Sequence, residues 1–402
     1  MKITGIETLR LKRHSNLLWV RVHTDEGIVG LGETWFGAAA AEADVLDRIA
    51  PAILGEDPLR IEWLNRRMRP YVGFLGTSAE IRALSAVDVA LWDIAGKAAG
   101  LPLCDLLGGK TRPEIQLYNT CAGPDYISKS SSVKPDNFGL AEARGAGSVR
   151  HEDLTGFMER PAEVAAELLE MGIASMKIWP FDFAAGAVDG VDISVDDLKR
   201  GLRPFEAIRA AHGDRMRLKA ELHGLWSLPA ARKIGRALAP IGMDWIEDPI
   251  WMDRICDLAD LARDVAVPFA GGETLGGLGQ FREIVEQGAI ATPIIDVTWG
   301  GGITYARKAA GLAEAAGRGI AFHDCSGPVT LAVSTHLAVS APNIWEQEFT
   351  RAFYYGWYHT LVDRLPPIRD GMIRPPEGPG LGLQLAEGLE RRPDAISNVV
   401  RL

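Results

Sequence analysis

The sequence predicts an α/β protein: a (β/α)8-type barrel, a modified TIM barrel, carried behind an α+β module. Three observations predict it. From about residue 115 onward, short apolar strands alternate with amphipathic helical stretches. The strand candidates number eight, the count that closes a barrel. No GxGxxG turn follows the first of them, as it usually would in an open doubly wound sheet.

The candidates in order are IQLYNTC (115–121), SMKIW (175–179), RLKAEL (217–222), DWIEDP (244–249), PFAGGE (268–273), IIDV (294–297), IAFHD (320–324) and NIWEQEF (343–349). Most hold β-branched or aromatic residues and end at a polar residue, Gly or Pro. Intervening segments such as LPAARKIGRALAP and GITYARKAAGLAEAAG read as helices with one apolar face. Ahead of the barrel, residues 1–35 read as strands joined by the turn DEG (25–27), and residues 41–110 as mostly helix. The expected division is an α+β capping domain over 1–114 and a barrel over 115–365. The Pro- and Gly-rich tail, 366–402, reads as loop with a little strand that completes the capping domain. Residues 122–160 and 180–195 are rich in Gly, Ser and Asp and follow the first two barrel strands, where active-site loops sit.

Composition narrows the class. Hydrophobic residues make up 47% of the 402 residues and charged residues 24%, which excludes a disordered or collagen-like chain. No apolar run reaches the roughly 18–20 residues of a membrane helix, and the N-terminus alternates like a strand and lacks a signal-peptide core. Cys104, Cys121, Cys256 and Cys325 show no CxxC spacing and read as reduced thiols of a cytoplasmic protein. The net charge of −10 comes with no basic run, so neither nucleic acid nor membrane is an expected partner. An anionic small molecule would need a local cation, and a bound metal is one source of it.

Polar residues recur at the ends of successive strands: Glu221, Glu247, Glu273, Asp296, His323 and Glu348, at steps of 26, 26, 23, 27 and 25 residues. Each step is about one βα unit, so all six face one barrel mouth. Three converging carboxylates repel one another unless a cation joins them, and an all-oxygen donor set favours Mg2+ over zinc. Glu221, Glu247 and Glu273 are therefore the expected metal ligands. Asp296 beside His323 would fix the imidazole tautomer and raise its basicity. His223, two residues past Glu221, shares its face by strand alternation and is a second acid/base candidate. Lys177 ends the second strand, where its ammonium would face a substrate carboxylate or a proton-transfer site, or snorkel as a structural lysine. Glu346 has the same parity as Glu348, and Glu348 is preferred because it lies nearer the C-terminal end. Trp179, Trp226, Trp251 and Trp299 closely follow strand ends and either wall a pocket or pack.

At these residues the chain resembles the enolase superfamily, in its mandelate racemase/muconate lactonizing enzyme branch. SAVDVALWDIAGKAAGLPLCDLLGG (85–109), WIEDP (245–249), GGET (271–274) and IIDVTWGGGIT (294–304) carry the resemblance, which spans essentially the whole chain. It implies Mg2+ at the three glutamates, an Asp296–His323 dyad, an electrophilic Glu348, and abstraction of a proton α to a carboxylate. It also implies that loops at 35–37 and 71–77 close over the mouth. Racemases of the branch carry Lys-x-Lys on the second strand, whereas Trp179 stands at the second position here, which disfavours a two-base racemase. Glu221-Leu222-His223 is similar to the acid-x-His motif of the galactonate and mannonate dehydratases, with Glu where Asp is usual. The implied activity is dehydration of an acid sugar, of aldonate type, to a 2-keto-3-deoxy acid. His323 is then the base and His223 the acid that assists hydroxide departure, with the two roles shareable or reversible. Lys177 would be auxiliary, and Glu348, protonated or bridged, would bond a substrate carboxylate oxygen. The alternative activity is an epimerase or cycloisomerase using Lys177 and His323, and the non-enzyme alternative is a silent binding protein. A homo-oligomer is expected.

Overall fold

The computed structural model describes residues 1–70, 78–126 and 151–402. Three strands open the chain: β1 (Ile3–Leu11), β2 (His14–Thr24) and β3 (Val29–Trp35), joined in an antiparallel meander. The 21-residue helix Ala79–Ala99 lies across them. Its close approach explains the glycines of VGLGETW: a Cβ on Gly30 would stand 2.0 Å from Ala90 O, and one on Gly32 1.8 Å from Ala86 O. Ile6, Leu18, Val20 and Val22 pack beneath Ala83, Val87 and Leu91 in a core of their own.

Eight parallel strands follow: β4 (Ile115–Thr120), β5 (Ser175–Ile178), β6 (Arg217–Glu221), β7 (Trp245–Glu247), β8 (Phe269–Gly271), β9 (Thr292–Ile295), β10 (Ile320–Phe322) and β11 (Ile344–Phe349). Each pairs with the next, and β11 pairs with β4 at Gln347 and Leu117, which closes the barrel. All eight expected strands are present. Most stop short of the expected end: β8 ends two residues before Glu273, and β9 and β10 end one residue before Asp296 and His323. The tail divides. The hairpin β12 (Ile368–Arg369) and β13 (Met372–Ile373) adds antiparallel to β4 of the barrel, while β14 (Ala395–Arg401) adds to β1.

Buried acids fasten the first sheet and its helix to the barrel and to the C-terminal tail. Glu33 accepts from Trp19 Nε1 at 2.7 Å and from Thr330 N and Oγ1 at 2.8 and 2.7 Å. Asp88 accepts from Thr304 N at 3.0 Å, and Asp93 accepts from Leu31 N and Leu381 N, each at 2.8 Å. Buried carboxylates at these positions satisfy strand and helix-end N–H groups that would otherwise be orphaned. Among the described residues no helix is long and apolar enough to cross a membrane, and the four cysteines are free thiols.

Candidate active site

Polar side chains from successive strand ends line one cavity of about 210 Å³: Thr120, Lys177, Glu221, Asp248, Glu273, His323 and Glu348. Glu221, Glu247 and Glu273 each bring a carboxylate oxygen within 4.8 Å of the other two. The sequence spacing predicted this meeting, although Glu273 arrives from the turn beyond its strand. Glu247 is wholly buried and accepts from Trp245 Nε1 at 2.8 Å. Glu221 Oε1 accepts the backbone N–H groups of Leu222 and His223 at 3.0 and 2.7 Å, which fixes the carboxylate against its own turn.

The Lys177 ammonium stands among these acids, 3.2 Å from Glu221, 3.0 Å from Glu348 and in contact with Glu247. The sequence left it open whether this lysine faces a substrate carboxylate or a proton-transfer site or is structural; here its charge is taken up by the protein's own carboxylates, which hold its pKa well above the ordinary range against the opposing effect of burial. One ammonium does not balance so many acids. Burial, with Glu221 and Glu348 beside it, pushes Glu247 up to about 8 despite Lys177. Burial and the neighbouring Glu273 push Asp248 well above the carboxylate range. Burial also raises Glu273, with His323 opposing. Glu348 is the exception: burial favours its neutral form, but Lys177 and His323 bring it down to about 2. It accepts from Thr120 Oγ1 and, at 2.9 Å, from Asp324 N. Of the two forms expected from sequence for Glu348, protonated or bridged to the substrate by another donor, this environment favours the ionised one that needs a bridging donor. The donor set formed by Glu221, Glu247 and Glu273 is all oxygen, buried at Glu221 and Glu247 and partly exposed at Glu273, and short of positive charge, which a hard divalent cation would relieve. The three residues therefore fit a metal ion.

Two imidazoles flank the carboxylates, each backed by a buried aspartate. His323 Nδ1 lies 2.5 Å from Asp296 Oδ2. Asp296 Oδ1 in turn accepts from Thr298 N at 2.6 Å and Trp299 N at 2.7 Å, capping the turn Val297–Gly300, so the carboxylate is clamped before it meets the imidazole. That leaves His323 Nε2 on the cavity side, 3.7 Å from Glu273. Burial works against a charged His323, but Glu273, Glu348 and Asp296 together raise it well above 6.5. His223 Nδ1 lies 2.6 Å from Asp182 Oδ2, and its ring packs against Trp179. Its arrival in the cavity is not by strand alternation. β6 ends at Glu221, and His223 sits in a left-handed turn at φ 50°. Phe36 (φ 72°) and Asp248 (φ 37°) also line the cavity in that sparsely populated region. Such backbone strain concentrates at functional sites.

Of the tryptophans, Trp179 and Trp299 line the cavity, Trp251 is exposed beside a neighbouring cleft, and Trp226 is buried. Trp35 and Phe36 line the capping side; the expected lid segment 71–77 and most of the expected loop 122–160 lie outside the described residues. Sequence reasoning missed Asp182, which opens the short helix Asp182–Ala185 in a loop without periodicity. It also missed Asp248, although that residue stands inside WIEDP next to Glu247. Arg82, from the capping helix, was missed because no barrel pattern reaches it.

Residues 160–389 match the family described as enolase C-terminal domain-like, and residues 8–108 match the mandelate racemase/muconate lactonizing enzyme N-terminal domain. The chain is 31% identical to a D-galactonate dehydratase of Ralstonia nicotianae over 97% of its own length and 93% of that protein's. It is 30% identical to one of Klebsiella pneumoniae, over 100% and 98% of the two chains. Among solved structures, an enolase of the mandelate racemase subgroup from Agrobacterium tumefaciens is 43% identical with a TM-score of 0.88, covering 100% of this chain and 99% of the other. An enolase protein from Sargasso Sea environmental sequence is 40% identical, also at a TM-score of 0.88, with 100% and 99% covered.

Proposed function

Since this chain belongs to the mandelate racemase/muconate lactonizing enzyme family of enolase-like proteins, we propose that it is a hydro-lyase acting on an acid sugar. The reaction removes water from a 2,3-dihydroxy acid and leaves a 2-keto-3-deoxy acid. The relatives named D-galactonate dehydratase support the reaction class. The observation that carries the reading for this chain is the pair of imidazoles on one cavity, His323 on Asp296 and His223 on Asp182, flanking three convergent glutamates.

Glu221, Glu247 and Glu273 would hold a Mg2+ ion, whose charge would offset the negative charge that develops on the substrate carboxylate when the α-proton leaves. His323 Nε2 takes that proton from its neutral form, which a cation held at Glu273 would favour by offsetting the carboxylate that most raises the imidazole, while Asp296 stabilises the imidazolium and holds its tautomer. His223, charged with the help of Asp182, gives a proton to the departing β-hydroxyl, so the C–O bond breaks to water and not to free hydroxide. The resulting enol takes a proton at C3 and becomes the 2-keto acid. Lys177 keeps the buried carboxylates together, and ionised Glu348 holds Lys177 from the far side. This use of Lys177 disfavours the epimerase and cycloisomerase alternative, because an ammonium bonded to three carboxylates is a poor general base.

The test is a screen of the purified protein with Mg2+ against a library of sugar acids, read by semicarbazide-reactive 2-keto acid. One or more positives that vanish with EDTA are expected. A negative screen accompanied by α-deuterium incorporation from D2O would transfer the assignment to an epimerase or cycloisomerase.

A further inference from the structure

Arg82 enters the same cavity from the capping side, in the first turn of the helix Ala79–Ala99. Its Nε meets no hydrogen-bond acceptor, and its Nη1 makes only a long 3.5 Å contact with Phe36 O. Among the described residues no carboxylate forms an ion pair with it. Among the described residues the one acid whose field it feels, Asp296, is committed to His323 and to its own turn. The guanidinium is nonetheless held in place, 4.9 Å from the centre of the Trp299 ring and 5.3 Å from that of Phe36. A mostly buried guanidinium without an anion is costly to maintain, and its open edge is the planar fork that receives a carboxylate in two hydrogen bonds.

Its position along the wall is informative. Trp299 adjoins both Arg82 and His323, whose ring centre is 5.0 Å from that of Trp299, and His323 in turn faces Glu273. A ligand with its reacting end at the glutamates and its α-carbon at His323 therefore reaches Arg82 with its other end. The cavity's lysine, Lys177, is enclosed by carboxylates and does not compete for that end. Resting on the acid-sugar reading, we infer that Arg82 binds a second carboxylate at the distal carbon of the substrate. The substrate class is then the sugar diacids, the aldarates, and not the aldonates. A hydroxymethyl end would leave the buried charge unanswered, and a phosphate dianion would leave one of its two charges unanswered by a single guanidinium.

The experiment compares matched pairs that differ only at the terminal carbon: galactarate with galactonate, and glucarate with gluconate, with 6-phosphogluconate as the phosphate arm. Calorimetric affinity in the presence of Mg2+ and kcat/KM are measured separately on the full chain. At least one aldarate should exceed its aldonate by roughly 100-fold, as expected where a site is built to pair a charged group. In R82Q that ratio should fall at least tenfold, and R82K, which keeps the charge without the fork, should fall between. Thermal unfolding of each variant reports whether it is folded. A wild-type preference for an aldonate or for 6-phosphogluconate, or a ratio that R82Q leaves unchanged, overturns the inference. The binding arm separates the two readings: Arg82-dependent aldarate affinity without any 2-keto acid would refute the dehydratase and leave this inference standing. Dehydration of aldonates with no Arg82 dependence would do the reverse.

Discussion

Replacing Asp182 with Asn tests whether the two imidazoles divide the work. Asp182 Oδ2 lies 2.6 Å from His223 Nδ1, the aspartate side chain is buried, and its Oδ1 has no partner. Among the described residues its interaction is thus concentrated on His223. A hydrogen bond of this charge-assisted kind is worth about 1.5–3 kcal/mol. At 1.36 kcal/mol per factor of ten, that is about 10- to 150-fold in any step where His223 carries a proton. An Asn amide has the same size and still accepts from Nδ1, so the ring stays oriented and only the charge is removed. If His223 protonates the departing hydroxyl, water loss slows by that factor while proton removal at His323 is spared. The assay measures 2-keto acid formation alongside deuterium incorporated from D2O into recovered substrate. In D182N the ratio of exchange to dehydration should rise at least tenfold. An equal fall in both rates refutes the division of roles and makes His223 a partner in proton abstraction; a fallen Tm would instead point to a collapsed loop.

Replacing Glu247 with Gln should weaken Mg2+ binding by more than about tenfold and abolish turnover, with the far-UV CD spectrum unchanged; wild-type affinity in a calorimetric titration would remove Glu247 from the metal site. Glu33 provides a pH test away from the cavity. Burial raises it to about 7 against the donors from Thr330 and Trp19. Because its folded pKa lies above the unfolded value of 4.5, the stability linked to it is fully present below pH 4.5 and is lost as pH rises through 7. Gln cannot titrate, so the urea-unfolding free energy of E33Q relative to wild type should improve by on the order of 2 kcal/mol between pH 5 and 8, and a pH-independent difference would sink the assignment.

The barrel was legible because most strands are short runs holding β-branched or aromatic residues and closed by Gly, Pro or a polar residue, and because one βα unit occupies 23–27 residues between mouth positions. That repeat placed Glu221, Glu247, Glu273, Asp296, His323 and Glu348 without any knowledge of packing. It failed where side chains arrive by other routes. His223 was found for the wrong reason, since a left-handed turn, and not the pleat, aims it. Asp182 lies in a loop, where neither period applies. Arg82 belongs to the capping helix, and its place at the cavity depends on how Glu33 and Asp88 dock that module on the barrel, a long-range outcome with no local sequence signal.

Glu346 and Glu348 show what separates a structural acid from a reactive one. Both point into the barrel, but two residues along a strand is roughly 6.6 Å, enough to put them in different layers. Glu346 joins the lower layer, where Lys219 is 2.8 Å from it and 3.0 Å from Asp244, with Arg217 also in contact. Two cations face two acids there, Tyr118 and Trp245 wall in the Lys219 ammonium, and burial brings that lysine down to about 7. Glu348 joins the upper layer, where Lys177 faces Glu221, Glu247 and Glu348 together and the cavity is open beside them. A balanced, enclosed cluster is satisfied by the fold alone. An acid-rich cluster open to a cavity is completed only by a cation from outside, and that imbalance, more than the presence of carboxylates, marks the upper layer as the place where a ligand binds.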